Sequence, residues 1–519
     1  MKEFLKKIAL YPDKTDFKSL IISFILVNLV FLYHTLNFMW GNHDVAYMRE
    51  PLLLSTGVFE GRFTQFVLTF FLMQGHILPV MTNVLGLGFL TLGLWVLANY
   101  WKIPKTCLNY VVFITFFITE PYALSWFYFT FITLSCFSWV FFALAGLYLS
   151  EKIGQLSHKF IVSLVAIVCF YLPLGGYPPV INTIAVCFVA RIILAYLVEQ
   201  KTLRELVDAY KYTVLNVFVA AVLAKLTLYF INPENVYNLG LIALSDMPKK
   251  FILTLGYSLR QFVLSQPFME KGYKLFLCIM VVVAFVGAVI KAIGIKRRLM
   301  IVVLIGILIW MTSLTTFLVV PPTQYVARVD FYGVAFVYVF ALALLLSFKM
   351  PISRSLALIF ILILIPFNAL NDYRALKIWQ QGFDAEMKIL DDVSARIEND
   401  PLFDLHKKYR FYQAGDISLR PAYYQENYEQ YQPFLLSLPY LAMWQGANLL
   451  ELYSVVDFID HSVPLLPEDI TSGVYDFIMN KAYPYPHKDS VFVNDDVIIV
   501  IYNRYGLEQL KEKVYELRR

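Results

Sequence analysis

The chain has 519 residues, of which 59% are hydrophobic and 16% are charged, and its mean hydropathy is +0.62. Soluble domains carry about 25% charged residues, so this composition excludes an ordinary soluble protein and indicates a polytopic membrane protein. The net charge of +5 does not indicate nucleic-acid binding, because the basic residues lie in loops between apolar segments. The five cysteines lie in or beside apolar segments without metal-ligand spacing, so no zinc site or disulfide framework is predicted.

The first apolar segment follows a basic start and is too long for the core of a signal peptide. No small-residue cleavage site follows it, so we expect a retained membrane span. Further segments of roughly 17–25 residues are long enough to cross a bilayer as helices. About eleven spans are predicted by this criterion. They lie near residues 19–40, 79–99, 106–120, 128–149, 160–174, 179–198, 213–231, 275–294, 299–320, 331–348 and 355–371.

Lys and Arg are concentrated in alternate loops, and this bias predicts the orientation of the helices. With the basic loops in the cytoplasm, the N-terminus is cytoplasmic. The outer loops are then 41–78, 120–127, 175–178, 232–274, 321–330 and everything after residue 371. Two apolar parts of these loops, 62–73 and 251–268, are predicted to lie in the membrane interface.

Residues 372–519 differ in composition from the membrane domain, 1–371, and are predicted to form a small α+β domain outside the cytoplasm. Residues 372–398 have apolar residues near a 3.6 period, which is typical of an amphipathic helix. A short strand is predicted at 409–412. Residues 491–493 and 497–502 are predicted to be two strands joined by a tight polar turn.

The part of the first outer loop that directly follows the first span is rich in charge. Asp44 is the leading candidate for chemistry, and the alternative is a capping or loop aspartate at a water-facing boundary. Opposite charges can hold one another in place at a partly dry site, and a carboxylate there can accept a proton from an incoming hydroxyl. The charged neighbours are His43, Arg49, Glu50, Glu60 and Arg62.

Residues in or near the other outer loops are candidates for substrate binding. Lys225 either extends along its helix toward the interface or faces a cavity and neutralises an anionic group. Arg328 either pairs locally with Asp330 or binds phosphate through its planar guanidinium. Glu120 and Trp126 lie in a short loop whose aromatic residues suit either the interfacial belt or a sugar ring.

The chain resembles the polytopic GT-C glycosyltransferases, in particular the serotype-converting O-antigen glucosyltransferases of bacteria. The resemblance rests on four features: His43-Asp44 after the first span, Gly61-Arg62 before an interfacial helix, the Tyr177 turn between two spans, and a final helix leading to an outer domain with a β hairpin. The Tyr177 turn taken alone is better explained as a simple break between helices. Many such enzymes have two adjacent acids where this chain has His43, so Asp44, Glu50 and Glu60 remain alternative catalytic bases.

The resemblance implies an inverting transfer of a sugar, glucose in that family, on the outer side of the bacterial inner membrane. The donor would be a polyprenyl-phosphate sugar, and the acceptor would be a hydroxyl of a lipid-linked or cell-surface glycan such as O-antigen. One carboxylate would deprotonate the acceptor. The lipid bilayer is a further partner, no cofactor is predicted, and dependence on a divalent metal is left open. Arg62, Lys225 and Arg328 would neutralise the donor phosphate, and further substrate-binding candidates are His43, Arg49, Glu120, Trp126 and Tyr177.

Two other classes of function stay open. A transporter or flippase for lipid-linked glycans would also need charges in a cavity between helices, but it would favour internal repeats, and the sequence has no convincing repeat. A membrane-anchored glycan-binding module would need only one helix as its anchor. The enzyme is therefore the preferred prediction.

Overall fold

The computed structural model describes residues 12–37, 39, 44–47, 51–58, 61–127, 129–156, 158–232, 244–263, 271–318, 329, 331–348, 351–415, 447, 450–451, 454–460, 465–494 and 496–518. Its internal contacts divide the chain into two compact units. The first comprises Met1–Phe38 and Glu50–Ala375, and the second comprises Met39–Arg49 and Leu376–Arg519.

The first unit is built from helices. Their bounds are α1 Lys14–Val30, α2 Leu32–Leu36, α3 Val67–Met73, α4 Pro79–Tyr100, α5 Cys107–Ile118, α6 Leu124–Phe127, α7 Thr130–Lys152, α8 Lys159–Gly176, α9 Val180–Leu197, α10 Leu203–Ile231, α11 Met247–Val263, α12 Lys271–Lys291, α13 Ile295–Met311, α14 Leu314–Leu318, α15 Val334–Ser347 and α16 Pro351–Glu398, which continues into the second unit.

Seven helices within the described ranges are long and apolar enough to cross a membrane. They are α4, α7, α8, α9, α10, α12 and α16, while α5 and α15 are apolar but shorter. These helices are those of a helical polytopic membrane protein, as the sequence predicts. The larger number of spans and the GT-C arrangement stay predictions.

Capping residues explain two helix starts that differ from the predicted spans. α1 begins at Lys14 because the Asp13 side chain accepts hydrogen bonds from the backbone of Thr15 and Asp16. α10 begins at Leu203, ten residues before the predicted span, because Thr202 and Glu205 form a capping box. Both helices therefore begin at polar residues and continue into their apolar segments.

The last predicted span and the amphipathic helix after it form one continuous helix, α16. The prediction of separate elements at 355–371 and 372–398 was wrong at their junction. Asp372 lies inside the helix and is fully buried, and Pro366 is also accommodated within it. The predicted interfacial segment 62–73 contains α3, and α11 begins before the segment 251–268 and covers its described part.

Glycines allow the central helices to approach one another closely. A Cβ atom added to Gly93 of α4 would lie 2.9 Å from the Cα atom of Phe141 on α7. A Cβ atom added to Gly146 of α7 would lie 2.8 Å from the ring of Phe170 on α8. Small residues at helix contacts are typical of membrane proteins, where close packing replaces the hydrophobic effect as the driving force.

Ion pairs connect the helix ends for which the sequence predicts a cytoplasmic location. Arg191 of α9 is fully buried and donates from Nη2 and Nε to Glu151 of α7 at 2.7 and 3.1 Å. The same guanidinium pairs with Glu199, which also binds Lys102 at 3.0 Å. Paired charges of this kind hold helix ends in register, because removal of one partner leaves the other buried and uncompensated.

The second unit contains a four-stranded sheet with the order β2-β1-β4-β3. The strands are β1 Lys408–Ala414, β2 Asp457–Asp460, β3 Val491–Val493 and β4 Val497–Ile501. β1 is parallel to β2 and β4, and β3 and β4 form the predicted antiparallel hairpin. The short helix α17, Ser472–Asp476, and the C-terminal helix α18, Arg504–Leu517, complete the unit. β2 and α18 are absent from the sequence prediction.

Candidate functional site

Several residues predicted to act at the site lie outside the ranges that the structure describes. They are His43, Arg49, Glu50, Glu60 and Arg328. Their roles in catalysis or substrate binding therefore stay predictions.

Asp44 begins a short 3-10 helix, Asp44–Tyr47, in the second unit. Its side chain is fully buried. Burial argues against the alternative of a water-facing loop aspartate, because a carboxylate is withdrawn from water only when something else stabilises it.

Arg62 contacts Tyr177 in the first unit, and this contact joins two predicted substrate-binding residues. The guanidinium carbon lies 5.4 Å from the centroid of the Tyr177 ring, within the range of a cation–π interaction. Backbone contacts fix the two segments, since the Thr64 amide donates to the Gly175 carbonyl at 3.2 Å and the Thr64 hydroxyl donates to the Leu172 carbonyl at 2.6 Å. Arg62 is partly exposed.

Trp126 lies in a packed group of aromatic rings. Its ring centroid is 5.2 Å from that of Tyr177 and 5.6 Å from that of Tyr332, and it is fully buried. Trp126 therefore packs on Tyr177, whose ring contacts Arg62. Its contribution to substrate binding stays a prediction.

Glu120 is buried directly after α5 and has an unsatisfied carboxylate oxygen. Oε2 accepts a hydrogen bond from the Tyr122 amide at 3.2 Å, whereas Oε1 has no partner among the residues described. Burial raises the pKa of Glu120 to about 8, and the Tyr122 amide and Lys274 offset part of this effect. The side chain therefore has a free acceptor position and ionises near physiological pH.

A second buried carboxylate interacts electrostatically with Glu120, and sequence reasoning missed it. Asp372 of α16 is fully buried, and neither of its oxygens has a hydrogen-bond partner in the described part of the chain. One turn earlier, Asn368 donates to the Thr119 hydroxyl at 3.3 Å, while its amide oxygen has no partner there. The spacing Asn368-x-x-Asn371-Asp372 places three polar side chains on one helix face, and this is the signal that could have revealed them.

Lys274 of α12 supplies a positive charge to Glu120. It is buried and donates to the Gln261 carbonyl at 2.9 Å and to the Tyr338 hydroxyl. Its neighbour Tyr273 interacts electrostatically with both Glu120 and Asp372. A lysine at the start of an apolar helix is a recognisable signal of function, but its position at the predicted end of an outer loop concealed it.

A small open cavity lies beside this group of residues. It has room for about one water molecule, and Tyr273 forms part of its wall. Tyr273 thus contacts the cavity and also interacts with the buried carboxylates. The remaining lining residues are Phe367, Leu370, Asn371 and Arg374.

Lys225 lies on α10 with an exposed side chain. This position favours the alternative in which the lysine extends along its helix toward the interface. Its contribution to phosphate binding stays a prediction.

No protein-family description, no curated protein and no solved structure matches this chain. Function must therefore be argued from the site. The helical unit combines the partly exposed Arg62, the buried carboxyl groups of Glu120 and Asp372, and the buried ammonium of Lys274. Such a set of groups can bind an anion and accept hydrogen bonds from hydroxyl groups.

Proposed function

We propose that the protein is a membrane glycosyltransferase that transfers a sugar from a polyprenyl-phosphate donor to a hydroxyl of a glycan at the outer face of the bacterial inner membrane. One observation carries the proposal. The Oε1 atom of Glu120, which has no partner among the described residues, and the guanidinium of Arg62 belong to one continuous set of contacts in the helical unit.

The path between these two groups is short. The Glu120 carbonyl accepts the Ala123 amide at 3.0 Å, and the Ala123 carbonyl accepts the Trp126 amide at 3.1 Å. Trp126 then packs on Tyr177, whose ring contacts Arg62. An anion-binding group and a hydroxyl-binding group on one rigid support are what a transfer between a phosphate-linked sugar and an alcohol requires.

Arg62 is the proposed contact for the donor phosphate. In the transfer, the bond between the anomeric carbon and the phosphate oxygen breaks, and the polyprenyl phosphate leaves with the electron pair. A guanidinium stabilises the negative charge that develops on this oxygen. The lipid tail of the donor requires access from the bilayer, which a bundle of membrane-length helices provides.

The acceptor hydroxyl attacks the anomeric carbon and loses its proton to a carboxylate. Asp44 is the proposed base, as the sequence predicts. A buried hydrogen-bond acceptor without a partner destabilises a protein by about 1–3 kcal/mol. Glu120 is therefore the proposed binding group for a sugar hydroxyl. A substrate hydroxyl that donates to Oε1 would remove this cost when the complex forms.

A transporter of lipid-linked glycans is the second candidate. The observation that favours it is the buried group of Glu120, Asp372 and Lys274 in the helical unit, because ionisable residues inside membrane domains often mark transport or proton pathways. The two candidates differ in chemistry. A transferase forms a new glycosidic bond, whereas a transporter moves its lipid without changing its mass.

The experiment is a transfer assay with the purified full chain in liposomes. A radiolabelled polyprenyl-phosphate hexose is supplied with a lipid-linked oligosaccharide, and the products are analysed for labelled glycan and free polyprenyl phosphate. The proposal predicts that the wild-type chain forms labelled glycan and free polyprenyl phosphate in equal amounts. It predicts the same yields for Glu508→Gln, a control variant at an exposed site in α18. It predicts at least about a hundredfold less labelled glycan with Asp44→Asn. Movement of the donor between leaflets without any new glycan would instead support the transporter.

A further inference from the structure

The helix α11 has its polar side against the protein and its apolar side exposed. Four of its side chains form a polar stripe that is buried: Lys250, Thr254, Ser258 and Gln261. Their spacing of three and four residues places them on one face of the helix. A surface helix of a soluble protein has the opposite arrangement, with its apolar face toward the core.

Hydrogen bonds attach this polar stripe to the bundle. The indole of Trp310 on α13 donates to the Thr254 hydroxyl at 3.0 Å. The Ser258 hydroxyl donates to the Ser313 hydroxyl at 2.8 Å and accepts from the Thr312 hydroxyl at 3.3 Å. Contacts of this type join helices in membranes, where a polar side chain facing lipid would find no partner.

The opposite face of α11 is an apolar surface. Ile252 is 72% exposed and Leu259 is 47% exposed, with Phe251 and Leu253 also exposed beside them. The surface continues onto α13, where further apolar side chains are exposed. In water this orientation would cost about 25 cal/mol for each Å² of apolar surface, whereas in hydrocarbon it carries no such cost. The exposed residues of α13 are Leu299, Val302, Val303 and Ile307.

Two exposed cations, Lys249 and Arg260, lie at the two ends of the apolar face. They are eleven positions apart, which corresponds to about 16 Å along a helix. This length is about half of the hydrocarbon thickness of roughly 30 Å. A helix embedded perpendicular to the membrane would place at least one of these cations in the hydrocarbon, so both can reach lipid phosphates only if the helix lies along the surface of one leaflet.

We propose that α11 is a membrane-embedded helix of one leaflet, with its apolar face against phospholipid acyl chains and with Lys249 and Arg260 at the phosphate groups. The sequence alone predicts an interfacial segment here but gives neither the inward polar stripe nor the hydrogen bonds that fix its orientation. This inference does not depend on the proposed enzymatic activity.

The test is nitroxide spin labelling of the full chain in liposomes of phosphatidylethanolamine and phosphatidylglycerol. The native cysteines are first replaced, and the background is accepted only if its melting temperature matches that of the wild type. Labels are placed through Ile252→Cys and Leu259→Cys. Phe218→Cys, on the exposed surface of the membrane-length helix α10, is the lipid control, and Leu405→Cys, in the second unit, is the water control.

Collisions with oxygen and with a water-soluble nickel chelate distinguish the environments of the labels. The proposal predicts that labels at 252 and 259 collide several-fold more often with oxygen than with nickel, as at 218. It also predicts that Lys249→Cys and Arg260→Cys labels lie nearer the lipid headgroups than the label at 252. Frequent nickel collisions at 252 and 259, as at 405, would overturn it. Infrequent collisions with both reagents would also overturn it, because they would mean that protein covers this face.

Discussion

Replacement of Glu120 by Gln should weaken substrate binding without damaging the fold. Gln retains an oxygen that can accept the Tyr122 amide at the present 3.2 Å, and it removes a buried ionisable group. At pH 9, above the raised pKa of about 8, Glu120 is ionised, and the substitution replaces a charge-assisted hydrogen bond accepted from a sugar hydroxyl at the Oε1 position with a neutral one donated by the Gln amide. This difference is about 1–2 kcal/mol, so KM for the acceptor should rise about five- to thirtyfold, while kcat changes much less.

The assay is steady-state transfer in liposomes with varied acceptor, in which Glu120→Gln is compared with the wild type and with the exposed-site variant Glu508→Gln. Melting temperatures establish that the three proteins are equally folded. An unchanged KM for both substrates in a folded Glu120→Gln protein would refute the argument from the free oxygen. A loss confined to kcat would instead assign proton transfer to Glu120.

Asp44→Asn should retain donor binding, while its rate of sugar transfer should fall by about 10²–10⁴-fold. Single-turnover assays with equal amounts of folded protein measure this rate, and a near-normal rate would show that Asp44 is not the base. Arg62→Ala should weaken binding of a polyprenyl-phosphate sugar at least about tenfold, because a charge-assisted contact contributes about 1.5–3 kcal/mol; an unchanged Kd from equilibrium binding would contradict this. Arg191→Met should lower the free energy of unfolding by about 3–5 kcal/mol, because it leaves Glu151 without its bidentate partner. Denaturation experiments measure this loss, and a loss below about 1 kcal/mol, typical of a surface pair, would contradict the prediction. Because burial raises the pKa of Glu120 to about 8, the stability contributed by its neutral form is complete below about pH 4.3 and is lost as the pH rises through about 8. The melting temperature should therefore fall more steeply between pH 6 and pH 9 in the wild type than in Glu120→Gln, and equal slopes would contradict the buried position of this carboxyl.

The sequence was informative where a single physical signal dominates. Apolar length predicts the membrane helices, because a bilayer requires about 20 residues per helix. The apolar, mostly β-branched runs Val491–Val493 and Val497–Ile501, separated by a short polar turn, predict the hairpin. Both signals are local and need no tertiary information. β2 lacks such a signal, since four residues paired in parallel with β1 depend on a distant partner.

The candidate site was harder to predict because its members come from distant parts of the chain. Glu120, Lys274 and Asp372 interact only because α5, α12 and α16 bring them together. Asp372 was taken as the first residue outside the membrane domain, although the helix continues through it. Trp126 is fully buried, and this burial depends on Tyr177 and Tyr332, which lie in distant parts of the sequence.

The most direct test of sugar transfer is mass spectrometry of envelope glycans from otherwise identical bacteria that lack the protein, express the wild type or express Asp44→Asn. Membrane immunoblots establish equal expression of the two proteins. The proposed function predicts glycans heavier by one hexose only in cells with the wild type. Identical glycan masses in all three strains, with the wild-type protein present in the membrane, would contradict it.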